Sequence, residues 1–221
     1  MANQQADVIW RGAVPISARF DDPYYSLDDG VAETGHVFLG GNDLPARLVP
    51  GFHIAELGFG TGLNLLVTVQ AVCAAGLAGP VRFTSFEAYP MTAEDMDTAL
   101  AGFPELAEDA ARLVAAWRGG ARFTLPGVEV EVILGDANDT LPAWGARADA
   151  WYLDGFAPAR NPGLWSPDLM IEVARHTAPG GTAATYSAAG DVRRGLQAAG
   201  FDVARVPGFG RKRHMTVARL P

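Results

Sequence analysis

Phe52-His53-Ile54-Ala55-Glu56-Leu57-Gly58-Phe59-Gly60-Thr61-Gly62-Leu63-Asn64 is the stretch that decides the fold. Residues 52–57 read as an apolar strand, three glycines spaced Gly-x-Gly-x-Gly follow, and the alanine- and leucine-rich run 63–75 reads as a helix. Glycine is needed where a backbone turns sharply and a ligand must come close, because a Cβ obstructs both. A strand, a glycine turn and a helix in this order suit a nucleotide-like cofactor. A dinucleotide fingerprint of the form Gly-x-Gly-x-x-Gly requires glycine at position 63, where Leu63 stands. The acidic Glu56 ahead of the turn suits a cationic sulfonium-amino acid better than a pyrophosphate. On the loop alone, a glycine-rich turn without a ligand stays open.

Outward from this stretch, short apolar runs alternate with longer alanine- and leucine-rich segments, the pattern of a sheet built from crossover units. Strands are expected over 52–57, 81–87, 128–134, 149–154, 182–187, 201–206 and 215–219, and helices over 63–75, 92–100, 105–117, 167–177 and 190–199. The last two strands are separated only by residues 207–214, too few for a crossover helix, so they should pair antiparallel. An α/β fold with a mostly parallel seven-stranded sheet and an antiparallel C-terminal hairpin resembles the class I S-adenosylmethionine-dependent methyltransferase fold, a Rossmann-like architecture, more than a dehydrogenase. Residues 10–17 alternate apolar and polar as a hairpin, and an acidic, glycine-rich stretch follows. The expected organisation is an N-terminal extension over 1–50, with a β hairpin and a lid, followed by a single Rossmann-like domain over 51–221.

Composition narrows the class. Of 221 residues, 49% are hydrophobic and 19% charged, which excludes a disordered chain and allows a full core without disulfides or metals. The single cysteine, Cys73, falls in the apolar pattern of a helix and is expected to be a buried, inert thiol. No apolar run approaches the roughly 20 residues that span a bilayer, and the start MANQQADVIW lacks a basic segment followed by an apolar one, so the expectation is a cytoplasmic protein with no membrane partner. A net charge of -8 argues against indiscriminate binding to nucleic acid, although Arg193, Arg194, Arg205, Arg211, Lys212, Arg213 and Arg219 gather in the last thirty residues.

Acids at the carboxyl ends of successive strands are the candidates for chemistry. Glu87 closes the second strand, where a doubly wound sheet presents an acid to both ribose hydroxyls, or it is a solvated strand-end glutamate. Asp136, followed by Ala137, ends the third strand; it either accepts from an adenine amino group or caps a helix. Asp154, in the run Trp151-Tyr152-Leu153-Asp154-Gly155-Phe156-Ala157-Pro158-Ala159-Arg160-Asn161-Pro162, ends the fourth strand beside the place a transferable methyl group would take, with Phe156 and the prolines shaping an acceptor pocket. It is the catalytic candidate, with a helix cap as the other reading. Methyl transfer to nitrogen needs a neutral amine with its lone pair aligned, and a carboxylate can hold the ammonium on arrival, take its proton and orient it. The histidines His36, His53, His176 and His214 have no metal-ligand spacing, and neither a Gly-x-Ser-x-Gly nor a Walker run is present, so no metal is expected.

Taken together, Asp22-Pro23-Tyr24-Tyr25-Ser26, Val37-Phe38-Leu39-Gly40-Gly41-Asn42, the run 56–64, the run 153–162, Arg193-Arg194-Gly195-Leu196 and Gly208-Phe209-Gly210-Arg211-Lys212-Arg213 resemble one family over nearly the whole chain. It is the methyltransferase part (MnmD-type) of the bifunctional enzymes that make 5-methylaminomethyl-2-thiouridine at the tRNA wobble position. The resemblance implies S-adenosyl-L-methionine as cofactor and N-methylation of 5-aminomethyl-(2-thio)uridine in the anticodon stem-loop. It implies cofactor contacts from Tyr25, Glu56, Gly58, Gly60, Thr61, Gly62, Asn64, Glu87, Asp136, Ala137 and Asp154. It gives Phe156, Pro158, Arg193, Arg194, Arg211, Lys212 and Arg213 to the acceptor side, the basic ones meeting anticodon-stem phosphates or forming a solvated basic hairpin. Tyr24, Tyr25, Phe156 or Trp165 would stack on a wobble uridine already in a single-stranded loop. Tyr25, Ser26, Asp28, Asp29 and Gly30 resemble a segment that folds over the cofactor, an acidic surface loop being the other reading. Larger members carry an FAD-dependent oxidase domain; the chain given stops at Pro221, so the expectation is a stand-alone methyltransferase supplied by a separate enzyme.

Two other functions compete at this level. A methyltransferase of a small amine or carboxylate metabolite suits the net charge of -8. A non-catalytic S-adenosylmethionine- or tRNA-binding scaffold would not need Asp154.

Overall fold

The computed structural model describes residues 5–26 and 29–221. The alternating N-terminal residues form a three-stranded antiparallel ribbon of β1 (Val8–Arg11), β2 (Val14–Ser17) and β3 (Asp22–Pro23). A helical run comes next: α1 (Gly30–Thr34), capped by the Asp29 carboxylate accepting from the Ala32 N–H, then a π turn over Gly35–Leu39 and a 3-10 turn over Gly40–Asn42. The expected acidic loop is thus helical past Gly30, and it buries Val37, Phe38, Leu44 and Leu48 in the same core as the sheet. Asp28 lies outside the described residues.

β4 (His53–Leu57) is buried at every position, as a strand covered on both faces must be. The chain then runs through α2 (Leu63–Ala75), β5 (Val81–Glu87), α3 (Ala93–Leu100), α4 (Ala107–Arg118), β6 (Arg122–Leu125) and β7 (Val128–Leu134). It continues through the one-turn α5 (Ala137–Thr140), β8 (Ala148–Leu153), α6 (Pro167–Arg175), β9 (Thr177–Thr185), α7 (Gly190–Ala198), β10 (Asp202–Pro207) and β11 (His214–Arg219). The main sheet has the order β10-β11-β9-β8-β4-β5-β7-β6. β9, β8, β4, β5 and β7 are parallel neighbours, whereas β11 and β10 pair antiparallel at one edge.

Seven of the eight strands are the expected ones; the eighth, β6, pairs antiparallel with β7 at the other edge. Cys73, expected buried, is exposed: α2 turns it outward, where its thiol donates to the Pro126 carbonyl at 3.5 Å. β9 starts at Thr177, inside the segment expected to be helical, because α6 stops at Arg175.

Alternate strand residues feed two cores. Ile54, Phe83, Val130 and Tyr152 face α2, α3 and α4 with Leu65, Leu66, Met96 and Leu113. Ala55, Phe86, Trp151 and Leu153 face α6 and α7 with Leu169, Met170, Val173 and Leu196. The period of two in the strands and of 3.6 in the helices fixes both interfaces.

Candidate functional site

β4 and β8 lie side by side, but β4 leads on to β5 and β8 to β9, on opposite sides. Loops leaving such a pair diverge, and a crevice opens at their carboxyl ends. Here the crevice is a cleft of about 1340 Å³ whose walls include Gly58, Gly60, Thr61, Asn64, Glu87, Asp136, Ala137 and Asp154. Gly58 has φ +87°, and a Cβ there would stand 3.3 Å from the Asp154 backbone oxygen, inside the gap between the two strand ends. Gly62, with φ +78°, is fixed by packing instead: a Cβ would meet Leu113 Cδ2 of α4 at 2.6 Å, and the residue is not on the cleft wall.

The acids divide by depth. Glu87 lines the cleft and accepts from the backbone N–H groups of Gly60 (3.0 Å) and Tyr89 (2.7 Å); burial raises its pKa against these bonds. Asp136 caps α5 through the Asn138 N–H at 2.9 Å, the helix-cap reading, and it also lines the cleft. Asp154 lines the cleft at the end of β8; its Oδ1 accepts from the Gly155 N–H at 2.8 Å and its Oδ2 from the Asn64 side-chain amide at 2.7 Å. Burial pushes its pKa up to about 6, against the Gly155 and Asn64 donors and the charge of Lys212. Glu56 lies below this layer. It is 0% exposed, accepts from Ser85 Oγ (2.7 Å) and the Asn64 amide (2.9 Å), and is held well above the usual carboxylate range by burial. An acid so buried is kept from facing a cation in the cleft by its own burial, and its effect reaches the cleft through Asn64.

Aromatic rings enclose the side of the cleft next to Asp154. Phe156 stacks on Phe20 (centroids 4.8 Å apart) and meets the edge of Tyr24 at 5.0 Å. Tyr186, just beyond β9, donates to the Gly155 carbonyl, and burial raises its hydroxyl pKa strongly. The N-terminal ribbon closes this wall: Asp22 accepts from the Ala157 N–H at 2.8 Å, Arg160 pairs with Asp21 at 3.2 Å, and Tyr25 Oη faces the carbonyls of Ala13 and Ala99 as their donor. Trp165 is 7% exposed, donates to the Phe156 carbonyl at 2.9 Å and belongs to the core, so it offers no stacking surface. Pro158 does not line the cleft.

A family model described as S-adenosyl-L-methionine-dependent methyltransferase matches residues 103–221, which hold Asp136, Asp154, Phe156 and Tyr186. The chain belongs to that family. Its relatives include the tRNA 5-methylaminomethyl-2-thiouridine biosynthesis bifunctional proteins of Chromobacterium violaceum, 43% identical over 98% of this chain and 34% of theirs, and of Stutzerimonas stutzeri, 45% identical over 99% and 35%. The chain therefore spans about a third of the length of these curated relatives. Among solved structures, MNMC2 from Aquifex aeolicus superposes with a TM-score of 0.79 at 24% identity, over 99% of this chain and 72% of that one. A precorrin-6y C5,15-methyltransferase from Geobacter metallireducens gives 0.52 at 14% identity, over 90% and 91%. Both share the fold.

The methyltransferase fits its cofactor by the chemistry of its cleft. A glycine floor that a Cβ would fill at Gly58, a carboxylate at the end of β5 and an acid-capped helix turn at the end of β7 match the needs of a ribose flanked by a sulfonium-amino acid and an adenine.

The basic residues separate into groups. Arg211 and Lys212 line the cleft; Lys212 pairs with Glu33 at 2.7 Å and stands 4.1 Å from the Tyr186 ring centroid. Arg213 and Arg193, with Arg205, surround His214, whose pKa is lowered by desolvation and by these three charges. None of the three lines the cleft. Arg194 is paired with Asp191 on the surface of α7.

Phe20, Glu33, Thr34 and Tyr186 line the site without having been singled out in the sequence. Only Tyr186 carried a usable signal, as the end of the strand beside the one that bears Asp154. The others come from the N-terminal segment, and only tertiary packing brings them over the cleft.

Proposed function

We propose that the methyltransferase N-methylates the primary amine of 5-aminomethyl-(2-thio)uridine at the tRNA wobble position, giving the 5-methylaminomethyl nucleoside. The observation that carries this reading is Asp154 at the switch point of the sheet, its carboxylate at the wall of an aromatic enclosure made by Phe20, Tyr24, Phe156 and Tyr186. The names of the two relatives, which match across nearly this whole chain, supply the substrate class.

Tyr25, Gly58, Gly60, Thr61, Glu87, Asp136 and Ala137 would hold S-adenosyl-L-methionine, Glu87 facing the ribose and the Asp136–Ala137 turn the adenine. When bound, S-adenosyl-L-methionine supplies an electrophilic methyl group on a sulfonium. With a pKa of about 6, Asp154 is ionised at neutral pH and pairs with an ammonium entering the enclosure. It accepts the proton that blocks the amine lone pair and keeps the nitrogen in line for attack, so that most of the rate comes from orientation and proton removal. Phe156 and Tyr24 give the uracil ring an edge and a face to pack on, and the ribbon over them keeps water out. Arg193, Arg205, Arg211, Lys212 and Arg213 would meet phosphates of the anticodon stem.

A substrate panel tests this reading. Methyl transfer is measured to tRNA carrying 5-aminomethyl-uridine, to the free nucleoside and to simple alkylamines. Transfer to the tRNA at least tenfold above the nucleoside supports it; transfer to small amines with none to tRNA replaces it with the metabolite reading, which the net charge of -8 favours.

A further inference from the structure

We infer that Asn64 is a positioning residue for Asp154: one buried amide group holds the catalytic carboxylate from below and ties it to the deeper carboxyl of Glu56. This rests on the proposed role of Asp154. Asn64 is 7% exposed in the first turn of α2. Its side-chain nitrogen has two hydrogens, and both are used, one on Asp154 Oδ2 at 2.7 Å and one on Glu56 Oε1 at 2.9 Å.

The amide can point only one way. Thr34 Oγ1 donates to Asn64 Oδ1 at 2.9 Å, so the oxygen faces a donor and the nitrogen faces the two acids. The reverse orientation would set the amide oxygen against the carboxyl oxygens of Asp154 and Glu56, a loss that the Thr34 hydroxyl, able to accept as well as donate, does not offset. A further bond, from Thr68 Oγ1 to the Asn64 carbonyl at 2.8 Å, secures this turn of the helix.

The consequence for Asp154 is geometric. With the Gly155 N–H on Oδ1 and Asn64 on Oδ2, each oxygen has one fixed donor, and the carboxylate plane is set before an amine arrives. Each oxygen keeps lone-pair capacity for the cleft. A carboxylate in water would have to be oriented during the reaction, whereas here the orientation is built in. Asn64 also supplies to the charged form a hydrogen bond that the protonated form would use less well, so it keeps Asp154 ionised in a site whose burial opposes ionisation. Glu56 gives the amide its second anchor, which distinguishes this arrangement from a lone hydrogen bond that could swing away.

The experiment compares wild type with Asn64→Ala and with Thr34→Val, an isosteric change that removes the donor on the amide oxygen. Three quantities are read: kcat and cofactor Kd separately, the pH dependence of kcat, and the titration of the Asp154 carboxyl followed by 13C NMR without substrate, with Asp154→Asn identifying the resonance. The expected result for Asn64→Ala is a fall in kcat of about 10- to 100-fold with cofactor Kd changed less than about threefold. The acid limb of the kcat profile and the NMR titration should both move to higher pH, and Thr34→Val should move them the same way by less. An Asp154 titration unmoved in both variants overturns the inference. So does a cofactor Kd weakened in step with a kcat that stays intact, which makes Asn64 a cofactor contact. The NMR readout needs no tRNA; a shifted titration in an enzyme that methylates no tRNA keeps Asn64 and discards the substrate.

Discussion

Asp154 sits at a compromise between burial, which opposes its charge, and two fixed donors, which favour it. Its pKa near 6 gives a sign for activity: kcat is full above that value and falls tenfold per pH unit below it, measured with saturating substrates. The sign for stability is opposite. Between the ordinary 3.8 and about 6 the native carboxyl keeps a proton that the unfolded chain has lost, so its ionisation lowers stability as pH rises through this window. Asp154→Asn should therefore melt a few degrees above wild type at pH 8, with the gain gone by about pH 4, while kcat drops by about 100-fold or more. A thermal scan at both pH values checks the first part; equal melting temperatures at pH 8 contradict it. The same logic shows what could be read from residue types alone. Glu87, Asp136 and Asp154 were legible because each ends a strand, but Glu56 also precedes the loop and only burial tells it apart.

At the scale of elements, the glycine loop does two jobs that one motif conceals. Gly58 leaves room beside Asp154, and Gly62 lets α2 approach α4. Gly62→Ala forces a Cβ into Leu113 at a positive φ, and should cost about 2–4 kcal/mol in urea unfolding while cofactor affinity in the folded fraction is kept. The ribbon is the other functional element: Phe20 supplies one face of the enclosure through its stack on Phe156. Phe20→Ala should raise KM for the acceptor by about tenfold with little change in cofactor Kd, read from initial rates and calorimetry. Long elements bounded by glycine, proline or charged residues, such as α2, β5 and β7, have the boundaries the sequence announces. β6 does not stand out, because Arg122-Phe123-Thr124-Leu125 alternate polar and apolar over only four residues, too short a run to announce a strand. The helical run 30–42 is hidden for a different reason: its glycines argue against a helix, and tertiary contacts such as the Asn42 amide bonded to the Phe38 and Trp151 carbonyls override them.

For the whole molecule, the order of strands matters more than any motif. The reversal between β4 and β8 opens the cleft whose wall holds Asp154 next to the aromatic rings of Phe20, Tyr24, Phe156 and Tyr186. The crossover pattern implied a mostly parallel sheet ending in an antiparallel hairpin but not the order of its strands, which is set by contacts between residues far apart in sequence; an N-terminal hairpin and lid were expected, whereas the helical run over 30–42 was not. Charge is also a property of this scale. A chain of net -8 with Arg193, Arg205 and Arg213 around His214 should bind tRNA through few phosphates, so Arg211→Glu with Arg213→Glu should weaken binding and reduce the slope of log K against log salt by about two. An unchanged slope would show that these arginines meet no phosphates. The measurement that tests the central claim most directly is transfer of labelled methyl from S-adenosyl-L-methionine to tRNA carrying 5-aminomethyl-uridine, resolved by nucleoside mass spectrometry for wild type and Asp154→Asn. The account predicts label in 5-methylaminomethyl-uridine with wild type and its near disappearance in the variant at unchanged cofactor binding; label in another nucleoside, or undiminished transfer by Asp154→Asn, would contradict it.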